Sequence, residues 1–251
     1  MQVIYGIHPI LESLKSGGEG IERIIIARGK KNDPIKEILF IAGEKGIAVK
    51  YDDRAAIDRL AAGKRHQGIV CLCTEFIYTP LEEIISQCTH SESGGLILIL
   101  DSILDPQNLG SLIRSGHCFG AKGIVIPKNR AAPVTPTVIK ASAGSAGHTV
   151  ISRVVNIGAA IDALKKEGFW IYGADIAKGQ DTQNFDYHGR VGLVLGSEGA
   201  GLRPLVKGKC DFLVTMPMVG RIDSLNVSVA GGILMYEIMR NRYSRISPNI
   251  L

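Results

Sequence analysis

No apolar stretch in this sequence approaches the ~20 residues needed to span a bilayer. The opening MQVIYGIHPI lacks the basic region, long apolar segment and small-residue cleavage site of a secretory signal. Together these absences predict a soluble, cytoplasmic protein without a membrane partner. Cysteine is sparse and unpatterned: Cys71, Cys73, Cys88, Cys118 and Cys210 form an odd set with no C-x-x-C spacing, so we expect reduced thiols, mostly in core strands. No two of the six histidines make a metal-ligand pair at helical spacing, and no metal is expected. The phosphate-loop pattern G-x-x-x-x-G-K-[ST] and the zincin pattern H-E-x-x-H are both missing. The glycine-rich Ala143-Gly144-Ser145-Ala146-Gly147 is out of register for a hydrolase elbow.

What is present is a chain of 251 residues, 45% hydrophobic, enough for two modest domains with real cores. A formal charge of +5 is compatible with nucleic acid without requiring it. Residues 1–75 alternate short apolar runs with helical patterns, which predicts a small α/β domain. Its helices are expected at Tyr5 to Ser16, Pro34 to Gly43 and Arg54 to Ala62, its strands at Glu22 to Ala27, Ile47 to Tyr51 and Gly68 to Glu75. Residues 76–94, one short helical pattern and then a polar run from Thr89 to Gly95, are expected to be a linker. From residue 95 to 251 a second series begins with LILIL (Leu96 to Leu100), a continuous run of the kind buried on both faces of a parallel sheet. It continues through helices near Leu109 to Phe119, Thr137 to Ala146, Gly158 to Glu167 and Ser224 to Arg240, with strands at Gly123, Ile151, Trp170, Val191 and Phe212. The fold class is α/β.

In an open parallel sheet, ligands bind beyond the carboxyl ends of the strands, which directs attention to three loops. One runs from Asp101 to Arg114, one from Gly196 to Leu202, and one from Pro217 to Val229. Asn108 taken alone fits a helix cap. Arg114, six residues further on and flanked by Leu112 and Ile113, is expected to face inward or into a cleft. Glu198 could be a turn carboxylate, but it directly follows a buried strand. Asn226 lies in the apolar stretch LNVSVA, and an amide buried there without a partner would cost about 1 to 3 kcal/mol. The run from Gly199 to Pro204 falls one glycine short of a dinucleotide fingerprint, which weakens a nucleotide-dependent oxidoreductase. Arg23, Arg28, Lys30 and Lys31 form a basic cluster, either a solvated face or a grip on RNA. His66 reads as a loop or RNA-facing residue.

Asn108-Leu109-Gly110-Ser111-Leu112-Ile113-Arg114, Leu195-Gly196-Ser197-Glu198-Gly199, and Met216-Pro217-Met218 with Ser224-Leu225-Asn226-Val227-Ser228-Val229 resemble the three ordered motifs of the SpoU/TrmH RNA 2′-O-methyltransferases. Tyr5 to Ile10 and His66 to Val70 are similar to the ends of the N-terminal domain in the 23S rRNA guanosine 2′-O-methyltransferase branch. The resemblance implies a SPOUT domain closed by a deep trefoil knot, an L30e-like RNA-binding domain before it, and a homodimer with the active site near the subunit interface. It implies S-adenosylmethionine as methyl donor, held at Gly196, Ser197, Met216, Pro217 and Leu225. Arg114, Asn108, Glu198, Ser224 and Asn226 are the implied catalytic set, acting on a guanosine in the peptidyl-transferase region of 23S rRNA. Arg114 either accepts the 2′-hydroxyl proton with help from an RNA phosphate or stays cationic beside the developing alkoxide, and Glu198 could bind it directly. A tRNA guanosine methyltransferase and a non-catalytic RNA-binding protein of the same fold are the alternatives.

Overall fold

The structure is a computed structural model that describes residues 2–15, 17–18, 20–30, 32–89, 95–176, 179–221 and 224–243. The chain divides into two compact units, residues 1–77 with 134–140, and residues 78–133 with 141–251.

The first unit is built from β1 (Gln2–Tyr5), α1 (Ile7–Lys15), β2 (Ile21–Ala27), α2 (Asp33–Glu44), β3 (Ala48–Asp52), α3 (Arg54–Ala61) and β4 (Ile69–Cys73). The sheet order is β1-β4-β2-β3, with β4 antiparallel to both neighbours and β2 parallel to β3. Local chemistry sets the boundaries. Asn32 caps α2 by accepting from the Ile35 N–H, and Pro34 sits in the first turn where no N–H is needed. Asp53 caps α3 through the Ala56 N–H. Ile10, Leu14, Ile24, Ile26, Ile35, Ile38 and Ile69 form the core on one face of the sheet. The strand β1 was not expected; the helical pattern begins at Ile7 instead of Tyr5.

The second unit opens with α4 (Leu81–Thr89), inside the stretch expected to be a linker. Its Leu81, Ile84, Ile85 and Cys88 are buried against Ile97, Ile99, Ile161, Leu164 and Ile171, so this helix is core and not connector. Next come β5 (Gly95–Leu100), α5 (Pro106–Cys118) and β6 (Gly123–Pro127), then α6 (Pro136–Ala141), which up to residue 140 belongs to the first unit, and, again in the second, β7 (Ile151–Val154), α7 (Ile157–Lys166) and β8 (Trp170–Ala174). The series ends with β9 (Gln180–Asp181), β10 (Arg190–Leu195), α8 (Pro204–Lys207), β11 (Phe212–Thr215) and α9 (Val227–Tyr243). The helix expected from Thr137 to Ala146 stops at Ala141, because Ala143 and Gly144 both take left-handed backbone, and a short 3-10 turn follows at Ser145–His148.

Seven strands form one sheet in the order β7-β6-β5-β10-β8-β11-β9, and every neighbouring pair is parallel. All six residues of β5 are buried, as a strand covered on both faces requires. One face packs on α4 and α7. Helix α9 packs against α5, and it can do so closely because Gly231 has no side chain: a Cβ there would lie 2.5 Å from Leu112 Cδ2 and 2.7 Å from Leu195 Cδ1. Among the described residues no helix is long and apolar enough to cross a membrane. Of the cysteines, Cys71 and Cys73 lie in a buried strand; Cys88 is on α4, Cys118 is exposed on α5, and Cys210 precedes β11.

Candidate active site

Because the sheet is parallel throughout, the chain leaves β5, β10 and β11 at the same edge, and the three loops of interest begin there. Asp105 caps α5, its carboxylate accepting from the Gln107 and Asn108 N–H groups at 3.3 and 3.1 Å. Capping is thus performed three residues upstream of Asn108. The Asn108 side chain, 7% exposed, is left free to face the other loops.

The loop after β10 folds back tightly. Ser197 and Gly201 exchange two backbone hydrogen bonds of 3.1 and 2.9 Å. Gly196 is required beneath them, since a Cβ at that position would sit 2.2 Å from the Gly201 carbonyl carbon. Glu198 is carried exposed near the tip.

Asn226 joins the loops. Its Nδ2 donates to Asn108 Oδ1 at 2.9 Å and to Glu198 Oε1 at 2.5 Å. Its Oδ1 accepts from the Ser228 N–H at 2.9 Å, the Ser228 hydroxyl at 2.6 Å and the Val229 N–H at 3.4 Å, which caps α9. An amide has two N–H donors and one carbonyl acceptor. All are engaged, so the polar group in the apolar stretch is spent within the protein on connecting all three motifs.

The rest of the third loop is open. Met216 is half-buried, Pro217, Ser224 and Leu225 are exposed, and Val219 is fully exposed. Met218, Val219 and Gly220 make no backbone hydrogen bond with the rest of the described chain. Unpaired amide and carbonyl groups beside apolar side chains can donate to and accept from a small polar ligand while packing its apolar parts.

Arg114 is exposed, which excludes the inward alternative and leaves the cleft-facing one; it makes no hydrogen bond or ion pair among the described residues, so Glu198 does not hold it within the chain. Ser224 is likewise without a hydrogen bond there. Among the described residues no group of three or more His, Cys, Asp or Glu side chains is placed to hold a metal.

Sequence reasoning missed Asp101. It is wholly buried at the end of β5, its N–H donates to the Leu195 carbonyl at 2.7 Å, and its carboxylate accepts from the Arg203 N–H at 3.1 Å and Nε at 2.7 Å. Arg203 Nη2 lies 2.6 Å from the same carboxylate. This clasp ties the first loop to the end of the second. An acidic residue directly after a fully buried run was the available signal, for a buried carboxylate demands a cation or several donors.

Comparison with known proteins places these loops in context. Residues 95–236 match the SpoU rRNA methylase family, and residues 3–79 match the RNA 2′-O ribose methyltransferase substrate-binding family. A TrmH family tRNA/rRNA methyltransferase of Bacillus subtilis is 38% identical over 239 residues, covering 95% of each chain. Among solved structures, the SpoU methyltransferase AviRb of Streptomyces viridochromogenes in complex with AdoMet has a TM-score of 0.61 at 26% identity, over 96% of this chain and 90% of that one. The AdoMet-bound rRNA methyltransferase of Sinorhizobium meliloti has the same score and identity, over 95% of this chain and 86% of that one.

Proposed function

The chain belongs to the SpoU rRNA methylase family, and on that premise we propose that it transfers a methyl group from S-adenosylmethionine to a ribose 2′-hydroxyl of RNA, at a guanosine in the peptidyl-transferase region of 23S rRNA. The observation that carries this reading is the Asn226 amide bonded at once to Asn108 and Glu198, which makes one site of three separated loops. Gly196, Ser197, Met216, Pro217 and Leu225 would hold the donor through backbone groups and apolar contact. The donor supplies an electrophilic methyl on a cationic sulfur.

The protein's own task is to orient the ribose and manage the 2′-hydroxyl proton. A guanidinium carries hydrogen-bond donors and no acceptor, which makes it a poor proton acceptor. Arg114 therefore acts by stabilising the oxygen as negative charge develops on it. Having no carboxylate partner among the described residues, its charge is not spent elsewhere. Asn108, Glu198 and Asn226 fix the loops around it, and Ser224 borders the substrate.

The working unit is proposed to be a cytoplasmic homodimer. Leu225, Val229, Ile233 and Tyr236 are 39 to 50% exposed and recur at helical spacing along α9 and the residue preceding its cap, an apolar stripe suited to a second copy. The stripe begins at Leu225 in the third loop, so a partner seated on it would border the site. A trefoil knot is proposed as well: β11 lies two places from β10 in the sheet, yet the helix that follows it returns to pack on α5.

The test is to incubate the protein with labelled methyl donor and total RNA from a modification-deficient cell and to map the modified nucleotide. A single guanosine of 23S rRNA is expected. Labelling of tRNA would overturn the branch, and no labelling of any RNA would overturn the activity.

A further inference from the structure

The basic cluster of Arg23, Arg28 and Lys30 lies in the first unit, with Lys31 outside the described residues. His66 is a loop residue turned inward: it is 7% exposed, and its ring meets Asp58 and the Gly68 N–H. Two cations that the methyl-transfer reading does not use stand in the second unit. There β6 runs parallel to β5, so the loop after it, residues 128–133, leaves the sheet at the same edge as the first loop of the site. In this segment, KNRAAP, Lys128, Asn129 and Arg130 are exposed and there is no carboxylate. Neither Lys128 nor Arg130 uses its side chain in a hydrogen bond or ion pair among the described residues. Of the carboxylates in the first loop, Asp101 holds Arg203 and Asp105 caps α5 with both oxygens.

The loop is fastened at both ends. The Lys128 N–H donates to the Val154 carbonyl at 2.7 Å, and the Lys128 carbonyl accepts from Arg153 Nη2 at 3.0 Å. Arg153 is itself seated over the Tyr78 ring, 5.4 Å from its centroid. At the far end the Ala132 N–H donates to the Ile103 carbonyl at 2.8 Å, which ties the loop to the first loop of the site. Between these anchors Arg130 takes left-handed backbone at φ 58°, and of the five non-glycine residues with positive φ among those described it is the one that carries a charge. A glycine would adopt this conformation freely, whereas a residue with a Cβ is strained in it. The strained residue is an exposed cation bonded to nothing in the chain, so the fold draws no stability from its side chain. Strain of this kind, beside a site, points to a group outside the protein. The sheet order sets the direction. The proposed donor residues lie in the loops after β10 and β11, on one side of the first loop; β6 lies on the other, two strand spacings or about 10 Å from β10.

We propose that Arg130 is a positioning residue for methyl transfer: its guanidinium takes the phosphate next to the target ribose and, from the side of the first loop opposite the donor, sets the line along which the 2′-hydroxyl meets the methyl group. The planar guanidinium matches two phosphate oxygens at once, which fixes direction as well as distance. Lys128, two residues away, adds a point charge to the same loop. A phosphate contact carries no base sequence, so its value lies in alignment, and a misplacement of about 1 Å costs about 100-fold in rate. The inference rests on the RNA methyltransferase reading, and it adds a residue outside the three motifs that aligns the substrate.

The test combines thermal melts with methyl-transfer kinetics of the full chain on total RNA from a modification-deficient cell, for Arg130→Gly, Arg130→Gln and Arg130→Lys. Arg130→Gly relieves the strain, so it should melt at or above the wild-type temperature. Its kcat should nonetheless fall about 30- to 100-fold, with KM for RNA changed less than about threefold and donor affinity by calorimetry unchanged. Arg130→Gln should lose as much, and Arg130→Lys, which keeps the charge without the fork, should recover about tenfold of the loss. A melting temperature that falls together with the rate would make Arg130 a structural residue and overturn the proposal. A raised KM at wild-type kcat would make it a plain RNA contact and overturn the alignment role, as would equal rates for the Lys and Gln variants. Wild-type kinetics in Arg130→Gly would sink the proposal and leave the enzymatic reading standing. If the wild type itself labels no RNA, the enzymatic reading fails and the proposal with it.

Discussion

Asn226→Asp exchanges a single NH2 group for oxygen at the junction of the three loops. The oxygen that caps α9 is retained, and Asp is as good a cap as Asn. What changes is the other end, where two donated hydrogen bonds, to Asn108 and Glu198, become an acceptor facing acceptors. Two carboxylates ~4 Å apart repel by about 1 kcal/mol in water and about 4 kcal/mol at an effective dielectric of 20. At 1.36 kcal/mol per unit, that repulsion raises one of them about 1 to 3 units above ~4, so the pair holds a shared proton below about pH 5 to 7. The shared proton restores a donor between the oxygens. A carboxyl whose folded pKa is raised destabilises the fold once pH exceeds its unfolded value. The melting temperature of the variant should therefore match the wild type near pH 4, fall between about pH 4 and 7, and level off above that. Methyl transfer, measured in single turnovers from pH 5.5 to 8.5, should drop about 100-fold at pH 8, the scale of an ångström-level misplacement, and recover about tenfold as pH falls. A variant with the wild-type rate and a wild-type pH profile would refute the role given to Asn226.

Arg114→Ala should lower the transfer rate by about 10² to 10³ while leaving donor affinity by calorimetry within about threefold; near-normal turnover would remove Arg114 from the catalytic set. Asp101→Asn weakens the clasp on Arg203, whose side chain is 43% exposed, so a loss near the lower end for charged hydrogen bonds is expected, about 1.5 kcal/mol or roughly 3 to 6 °C in thermal melts, together with weaker donor binding. Ile233→Glu places a charge in the apolar stripe of α9 and should convert a dimer to a monomer in sedimentation equilibrium without altering the circular dichroism spectrum.

The parallel sheet was legible because its strands are covered on both faces, so that LILIL stands out as an unbroken apolar run. Asn226 was legible for the opposite reason, as a polar amide in an apolar setting whose partners had to be found. Asn108 was ambiguous until Asp105 proved to be the cap, a competition between two good capping residues three positions apart that spacing alone does not resolve. The helical pattern of α4 was legible, but the polar run after it hid that Leu81, Ile84, Ile85 and Cys88 bury it in the core of the second unit. The clasp between Asp101 and Arg203 joins residues 102 positions apart, so an acidic residue after a buried run signals the need for a partner without naming Arg203. Sequence reasoning left the exposure of Arg114 open, since apolar neighbours on a helix show that some face is buried without showing which.

The central claim is that the site joined by Asn226 delivers a methyl group to a ribose oxygen. It is tested most directly by methylating a 23S rRNA transcript with a labelled donor and hydrolysing the product in alkali, because a 2′-O-methyl group blocks cleavage of the adjacent phosphodiester. Recovery of the label in an alkali-resistant dinucleotide is the predicted result. Label released in mononucleotides, as from a methylated base, would contradict the account.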